Sequence, residues 1–359
     1  MALRPFSKGL GAAVPDFPKG DNLGRLTATI NYRSAPRMDD YAQLSKKAFE
    51  DEVVNIVHET VSASPFVSFP HNQRWFETPD GFLYAGYVQP VKNLSNQALK
   101  AIPAGQSGFW AEVTVPYVDL TLDNPPARMG WTKDLLDAGL SPRLYYSQVA
   151  WVDQIKAGDN GKALYRFNEN GGRQGSDTGG NSGDLFWMDG SGMRPLTADD
   201  LSPIHPDVDP KAKKVVVDTT YQTLTCLEGN TEVYFCRCST GARFDASGTA
   251  VDNWTTVDGD YKTQWKTVSI HMSGGTTGAG YDTPAVSWTN FFDSQKGMAI
   301  HAAFWHNMFG ELVSHGCVNV KPEDAKWIFR WTSPHISLDK ADLRQIPDGT
   351  LVTIKERKY

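Results

Sequence analysis

Cys317 lies in the hexapeptide SHGCVN, and three of the eight histidines, His301, His306 and His315, lie within 16 residues of it. A cysteine attacks a carbonyl only as its thiolate, so a working nucleophile needs a base or a positive environment that lowers its pKa. Histidine is the usual base, because it exchanges protons near neutral pH. The attack creates an oxyanion, which backbone N–H groups stabilise, and Gly316 permits a tight turn that brings such groups together. The spacing therefore fits nucleophilic catalysis by Cys317, and a buried structural cysteine, the commoner role of a free cysteine, is the open alternative.

The longer stretch AIHAAFWHNMFGELVSHGCVNV resembles the signature of the L,D-transpeptidase catalytic domain, also called the YkuD domain. That signature is a His followed, at a similar distance, by Ser or Thr, then His-Gly-Cys, an apolar residue and Asn or Arg. The corresponding positions here are His301, Ser314, His315, Gly316, Cys317, Val318 and Asn319. The resemblance implies that Cys317 is the nucleophile and His301 its base. It further implies that His315 lines the oxyanion region with the backbone of Gly316 and Cys317, and we group Ser314 with these catalytic residues.

Two positions depart from the family pattern. The family often has Gly or Ser after the first His, whereas this chain has Ala302, so a backbone carbonyl must orient His301 in place of a side-chain hydroxyl. The family also usually carries a Thr-Pro-x-Gly turn upstream, where this chain has Thr256, Val257, Asp258 and Gly259. Neither departure removes the nucleophile or the base.

Several side chains near the motif are candidates for a substrate groove, because aromatic surfaces pack well against peptide and sugar while their polar tips form hydrogen bonds. The candidates are Asn319, Trp305, His306, Tyr281 and Trp288. For each of the aromatic residues and His306, ordinary core packing is the open alternative.

Composition favours a mostly β protein. Aromatic residues make up 11% of the 359 residues, and 32 Gly and 21 Pro favour short strands separated by turns. The resemblance implies that the C-terminal domain is an L,D-transpeptidase (YkuD-type) β sandwich with a short helix after the catalytic Cys. The segment PEDAKWIFRWT predicts that helix, because Pro322 suits a first helical position and Glu323 and Asp324 favour its positive end.

The chain divides into five predicted segments: an extended N-terminal arm (1–22), a first SH3-like β domain (23–95), a second (106–201), a linker with three prolines (202–213) and the catalytic domain (214–356). The stretches NYRSAPR and WFETPDGFLYAGYVQPV resemble bacterial SH3-like domains, so the expectation is two small β barrels before the sandwich. The stretch NENGGRQGSDTGGNSGD, residues 168–184, reads as a flexible loop.

Charge and hydropathy exclude several partners. The formal net charge is −6 and the basic residues are scattered, so the sequence predicts no nucleic-acid partner. No apolar run approaches the length of a transmembrane segment, and the N-terminal stretch lacks the apolar core of a signal peptide. The sequence therefore predicts either a cytosolic protein or a chain that begins after a removed export signal, and the resemblance favours a location outside the cytoplasmic membrane.

The first functional hypothesis is a transpeptidase that acts on peptidoglycan. By resemblance, Cys317 attacks a donor stem peptide, D-alanine leaves, and an amine of an acceptor stem resolves the thioester to give a cross-link. Such enzymes need no metal or other cofactor and are commonly acylated by carbapenems. Hydrolysis of the same thioester is an alternative that the sequence does not separate.

Two other classes of function remain open at this stage. One is a metal site built from His301, His306, His315 and Cys317, although neither an HExxH nor a paired-cysteine motif is present. The other is a peptidoglycan-binding protein whose SH3-like domains contact glycan or wall and whose catalytic domain has little activity. The remaining cysteines, Cys226, Cys236 and Cys238, fall in a predicted hairpin, where packing is the favoured interpretation.

Overall fold

The computed structural model describes residues 14–66, 68–158, 161–172, 183–244, 249–251, 254–274 and 281–357. Strands dominate these residues, which confirms the predicted mostly β fold. Most of the arm predicted at 1–22 and most of the glycine-rich loop predicted at 168–184 lie outside the described residues. In the described part of the arm, Phe17 is buried and packs edge-on against Tyr117, with ring centroids 4.9 Å apart.

The first region, corresponding to the first predicted SH3-like domain, contains eight strands in two sheets. They are β1 (Leu23–Leu26), β2 (Ile30–Arg33), β3 (Gln43–Ala48), β4 (Val53–Asn55), β5 (His58–Val61), β6 (Arg74–Thr78), β7 (Gly81–Tyr84) and β8 (Val88–Val91). One sheet has the order β4-β1-β8 and the other the order β3-β2-β7-β6-β5.

The second region contains a six-stranded sheet, a two-stranded sheet and the helix α1 (Gly130–Asp137). The strands are β9 (Phe109–Val113), β10 (Tyr117–Asp119), β11 (Thr121–Leu122), β12 (Arg143–Tyr145), β13 (Val149–Ala157), β14 (Ala163–Asn168), β15 (Leu185–Asp189) and β16 (Met193–Pro195). The six-stranded order is β11-β15-β14-β13-β9-β16, and β10 pairs with β12. Sequence analysis did not foresee α1, whose eight residues give a short amphipathic pattern.

The prediction of two closed barrels is wrong, because the described strands form open sheets. The outer strands β3 and β5 of the first region do not pair with each other, and neither do β11 and β16 of the second. Other parts of the chain pack against these sheets. Met308 packs into the aromatic cluster of the first region, and Phe17 and Ala285 pack into the core of the second.

The third region contains two five-stranded sheets and the helix α2 (Pro322–Trp331). The strands are β17 (Lys213–Asp218), β18 (Thr223–Glu228), β19 (Thr231–Arg237), β20 (Gly259–Lys262), β21 (Trp265–Gly274), β22 (Tyr281–Asp293), β23 (Met298–Ala302), β24 (Val318–Val320), β25 (Asp342–Leu343) and β26 (Leu351–Lys355). The sheets have the orders β19-β18-β17-β26-β20 and β24-β23-β22-β21-β25.

Apolar side chains of both sheets and of α2 form one core, which is how a sandwich is held together. Val217 from the first sheet, Ile300 from the second and Phe329 from α2 all belong to it. The helix begins at Pro322 with Glu323 and Asp324 in its first turn, which confirms the sequence prediction. Among the described residues, no helix has both the length and the apolar character to cross a membrane.

Candidate active site

Two parallel strands bring the predicted base and nucleophile together. β23 carries His301 and pairs in parallel with β24, with His301 opposite Asn319, and Cys317 directly precedes β24. A sequence separation of 16 residues thereby becomes adjacency in the sheet. The predicted residues that line the resulting cavity, of about 260 Å³, are Tyr281, His301, Trp305, Ser314, His315, Cys317 and Asn319.

Cys317 is partly exposed, whereas the other three cysteines are buried. Its thiol donates a hydrogen bond to the carbonyl oxygen of Gly297, with Sγ 3.3 Å from that oxygen. Burial raises the pKa of Cys317 to about 11, and a backbone hydrogen bond from Ala299 only partly opposes this. The resting nucleophile is therefore a neutral thiol.

His301 is buried, with 2% of its surface exposed. Burial lowers its pKa to about 4, so the ring is neutral at physiological pH. Nδ1 lies 3.0 Å from the carbonyl oxygen of Ala302, and because a carbonyl can only accept, Nδ1 carries the proton. Nε2 then has a free lone pair, as a base requires. The group that orients the His301 ring is therefore a backbone carbonyl, as expected because Ala302 has no side-chain hydroxyl.

The turn that holds Cys317 depends on Ser314 and Gly316. The Ser314 hydroxyl donates to the carbonyl oxygen of Cys317 at 2.5 Å and accepts from the Gly316 N–H at 3.1 Å. Gly316 has φ +112°, a conformation that residues with a Cβ rarely adopt. Both observations assign Ser314 to shaping the turn.

The Gly316 N–H does not face a free oxyanion position, contrary to the sequence expectation, because Ser314 Oγ already accepts its hydrogen bond. Within the described chain, the N–H groups of His315 and Cys317 have no acceptor. They are the two amides of the turn that remain available to a developing negative charge.

Thr256 supports the turn from a second loop. Its hydroxyl donates to the carbonyl oxygen of Gly316 and accepts from the Gly241 N–H, both at 2.9 Å. A Cβ on Gly241 would lie 1.7 Å from the carbonyl oxygen of Trp254, so only glycine fits there. In the sequence, Thr256 begins the stretch TVDG, which stands where the family has its Thr-Pro-x-Gly turn. Nothing in that stretch indicated that the Thr256 hydroxyl would bond to Gly316.

The amide of Asn319 is paired with His306, and the ring settles its orientation. The Met308 N–H donates to His306 Nδ1 at 3.1 Å, so Nδ1 carries a lone pair. Burial lowers the pKa of His306 to about 3, so the ring is neutral and its proton is on Nε2. The nearest atom of the Asn319 amide lies 3.0 Å from Nε2. Because Nε2–H is a donor, this atom must be the side-chain oxygen of Asn319. Amide oxygen and nitrogen are assigned by such networks. The NH₂ group therefore takes the other position of the amide, which has no partner in the described chain.

The aromatic side chains of Tyr281 and Trp305 border the cavity next to the turn. The ring of His315 lies against Trp254, with centroids 3.9 Å apart, and against Tyr281 at 5.3 Å. Trp305 lies 5.7 Å from the His301 ring. These positions agree with the predicted groove for Tyr281 and Trp305.

Trp288 and His306 do not line the cavity. Trp288 is fully buried and packs against Phe329 of α2, with ring centroids 5.5 Å apart. It adopts φ +56°, and its ring packs in the core, the alternative that the sequence left open. His306 is 8% exposed and acts behind the cavity through Asn319.

Sequence analysis missed four further residues of the cavity, Met272, Thr283, Val286 and Val313. Met272 and Thr283 are register partners on β21 and β22, so their side chains share one face of the hairpin. Alternation within these strands was the signal that could have found them.

The four side chains of the alternative metal hypothesis do not assemble. In the described residues, no group of three or more His, Cys, Asp and Glu is placed to hold a metal ion. Both ring nitrogens of His306 are engaged, one by the Met308 N–H and the other by Asn319. This leaves His306 without a nitrogen for coordination.

The first region contacts the segment between His301 and Cys317, which we call the catalytic segment. Asn72 Nδ2 donates to the carbonyl oxygen of Asn307 at 3.0 Å, and the His71 N–H donates to the Glu311 carboxylate at 2.8 Å. Arg25, 3% exposed, donates to the carbonyl oxygen of Phe304 at 2.7 Å. The geometry of the catalytic segment thus depends on contacts more than 200 residues away in sequence.

The second region holds the hairpin of β21 and β22 through a buried charged cluster. His271 Nδ1 lies 2.5 Å from the Glu169 carboxylate, and Nε2 contacts Asp282. Burial acts to lower the pKa of His271, but the hydrogen bonds and charges of the two carboxylates outweigh it and raise the pKa overall. Trp131 of α1 donates its indole N–H to Glu169 at 2.8 Å and its backbone N–H to Asp282 at 3.1 Å.

Residues 212–354 match the family model of YkuD, the L,D-transpeptidase catalytic domain. The matched range contains β17 to β25, α2 and all the residues of the cavity. This confirms the predicted resemblance for the third region. Nothing in the comparisons identifies the first two regions as SH3-like, and no curated protein matches the chain.

Solved structures of L,D-transpeptidases resemble parts of the chain. A crystal structure of an Enterococcus faecium L,D-transpeptidase is 19% identical, with 42% of this chain and 52% of that chain covered and a TM-score of 0.30. The Mycobacterium smegmatis enzyme is 16% identical, with 54% and 90% covered and a TM-score of 0.32. L,D-transpeptidase 3 from Mycobacterium tuberculosis, in complex with a faropenem-derived adduct, is 20% identical, with 49% and 74% covered and a TM-score of 0.31. The chain spans about half the length of the Enterococcus faecium protein.

Proposed function

Proceeding from the L,D-transpeptidase catalytic domain at residues 212–354, we propose that this protein cross-links peptidoglycan stem peptides through a thioester on Cys317. The observation that carries the proposal is the meeting, in one cavity, of a partly exposed thiol and a histidine with a free Nε2. Two unpaired backbone amides lie in the same turn.

The first step is attack by Cys317 on the peptide carbonyl of the donor stem. Because the thiol and the imidazole are both neutral at rest, the proton moves from Sγ to His301 Nε2 as the S–C bond forms. The oxyanion is stabilised by the N–H groups of Cys317 and His315. Its collapse breaks the C–N bond, and the imidazolium returns the proton to the departing amine, D-alanine. The acyl group remains on sulfur as a thioester.

The second step transfers the acyl group. An amine of the acceptor stem attacks the thioester, His301 takes the amine proton, and collapse returns it to the Cys317 sulfur as the new amide forms. Thiol, imidazole and backbone amides supply every group in this cycle, so we propose no metal or other cofactor. Water in place of the amine would give hydrolysis.

Asn319 is assigned to substrate binding. The unpaired position of its amide is buried, and by the assignment made from His306 it carries the NH₂ group, a donor that a substrate carbonyl or carboxylate satisfies. Tyr281 and Trp305 supply aromatic walls for the peptide. The fixed orientation of the amide depends on His306, which stays neutral.

From the proposed substrate we infer that the protein acts outside the cytoplasmic membrane, in the periplasm or the cell wall. We further propose that the first two regions orient the catalytic segment, since Arg25 and Asn72 bond to its backbone. Contact between the first two regions and the cell wall stays a prediction. It is tested by measuring whether the whole protein pellets with purified cell wall.

The nucleophile is tested by intact mass after incubation with a carbapenem. The native chain should gain one covalent adduct, and Cys317→Ala should gain none. An adduct that persists in Cys317→Ala would overturn the assignment. Cys226, Cys236 and Cys238 serve as internal controls, because all three are buried whereas Cys317 is partly exposed to the cavity.

The reaction type is tested with a purified disaccharide-tetrapeptide. Transpeptidation should release D-alanine and give a dimer whose mass is the sum of two substrates less one D-alanine. A tripeptide product without dimer would replace the transfer step by hydrolysis while leaving Cys317 and His301 in their roles.

A further inference from the structure

A second cavity, of about 280 Å³, lies on the five-stranded sheet of the first region. The side chains that matter for its chemistry are Asn31, Arg33, Lys47, Trp75, Tyr84 and Tyr87. Asn31 and Arg33 are two apart on β2, and Lys47 on β3 is the register partner of Asn31, so the three share one face. None of these residues belongs to the catalytic domain.

Positive charge dominates the polar wall of this cavity. Arg33 donates to a backbone carbonyl, that of Asp39, at 2.6 Å, and in the described chain neither Arg33 nor Lys47 has a carboxylate within ion-pair distance. The neighbouring Lys46 behaves differently, since it faces the opposite side and pairs with Asp80 at 2.5 Å. Two cations without a counter-charge, in a protein of net charge −6, favour an anionic ligand.

The floor of the cavity is aromatic and contains an unmet hydrogen-bond donor. Trp75 is fully buried, and its indole N–H has no acceptor in the described chain. Buried polar groups are normally paired, so this donor lacks an acceptor of the kind that a ligand oxygen would supply. The Tyr84 hydroxyl, by contrast, already donates to the carbonyl oxygen of Asn72 at 2.9 Å.

From these three features we propose that the cavity is a binding site for a short acidic peptide. A side-chain carboxylate pairs with Lys47 and Arg33, and peptide carbonyl and N–H groups meet the Trp75 indole and the Asn31 amide. Apolar parts of the peptide rest on Tyr84 and Tyr87. The site is separate from the proposed chemistry at Cys317 and does not depend on it.

The probe for this site is N-acetyl-Ala-Glu-Ala-amide, with the glutamine peptide as its uncharged match. The readout is the ¹H–¹⁵N signal of the Trp75 indole, identified by its loss in Trp75→Phe. The acidic peptide should shift this signal saturably, and Lys47→Gln should weaken binding at least about tenfold. Lys46→Gln is the matched control and should change the affinity less than about twofold.

Several results would overturn the proposal. These are a glutamine peptide that binds as well as the glutamate peptide, equal losses in Lys46→Gln and Lys47→Gln, and the absence of a saturable shift. Acetate or inorganic phosphate that matched the peptide in affinity would reduce the site to a general anion site. Binding should be unchanged in Cys317→Ala, so failure here and failure of the transpeptidase proposal are distinguishable.

Discussion

Two histidine-centred sites border the hairpin of β21 and β22, one uncharged and the other charged. On one face, Met272 and Thr283 line the cavity that contains His301 and Cys317. The neighbouring residue His271 points away from that cavity, between the carboxylates of Glu169 and Asp282. Alternation along a strand separates the two sites by a single residue.

The difference shows how environment divides one residue type between two tasks. His301 has no charged partner, so burial alone decides and leaves the imidazole neutral, as a general base must be. The His271 side chain is 7% exposed, so burial acts on it too, but two carboxylates favour its charged form. The chemistry that we propose belongs to the uncharged site, and the charged site attaches the second region.

The largest expected effect separates the two histidines by rate. His301→Gln should lower the rate of acylation by a carbapenem by about 10²–10⁴-fold, which is the usual contribution of a general base. His271→Gln should change that rate less than about threefold, because His271 touches no reacting atom. Stopped-flow or time-resolved mass spectrometry measures both, and a comparable loss in the two variants would break the division of tasks.

The next effect concerns stability, and here the larger loss is expected at the charged cluster around His271 rather than at the catalytic pair. Glu169→Gln removes a buried charge from His271, and the free energy of unfolding should fall by about 2–3 kcal/mol. Glu59→Gln breaks an exposed pair with Arg74 and is the matched control, expected to cost about 0–1 kcal/mol. Urea titration monitored by fluorescence measures the difference, and equal losses would show that the buried cluster does not hold the hairpin.

Much of the catalytic site was predictable from the sequence because its signals are local. His301 and the SHGC turn fall within one short segment, and the residue after His301 correctly implied a backbone carbonyl as the orienting group. The start of α2 followed from Pro322 and two acidic residues.

What the sequence did not reveal depends on distant pairs or unusual backbone. Glu169 and His271 are 102 residues apart, and no periodicity in either segment indicates that they meet. Trp288 lies in the core and has a positive φ, and neither feature is indicated by its residue type. The sheets of the first region also contact residues distant in sequence, such as Met308, which local strand patterns do not indicate.

A smaller effect is the dependence of stability on pH, and its sign follows from the raised pKa of His271. The protonated form is favoured in the folded state, so its contribution is complete below the unfolded pKa, about 6.5, and is lost as pH rises through the folded pKa. The slope contributed by this one group should not exceed about 1.4 kcal/mol per pH unit. His271→Gln should remove it, whereas an unchanged slope would mean that another group titrates.

The smallest expected effect is near zero, and it tests whether the catalytic pair is neutral. If Cys317 and His301 were a thiolate and imidazolium pair, His301→Gln would sharply slow alkylation of Cys317 by iodoacetamide at pH 7. Because burial raises the pKa of Cys317 to about 11 and lowers that of His301 to about 4, little thiolate depends on the histidine. His301→Gln should therefore change the alkylation rate less than about threefold, and the rate should keep rising with pH above 9. Peptide mapping confirms that Cys317 is the modified residue, with buried Cys238 as the unreactive control. If the alkylation rate reached a plateau below pH 8 and this plateau vanished in His301→Gln, Cys317 and His301 would be an ion pair. The contrast between a neutral His301 and a charged His271 would then be wrong.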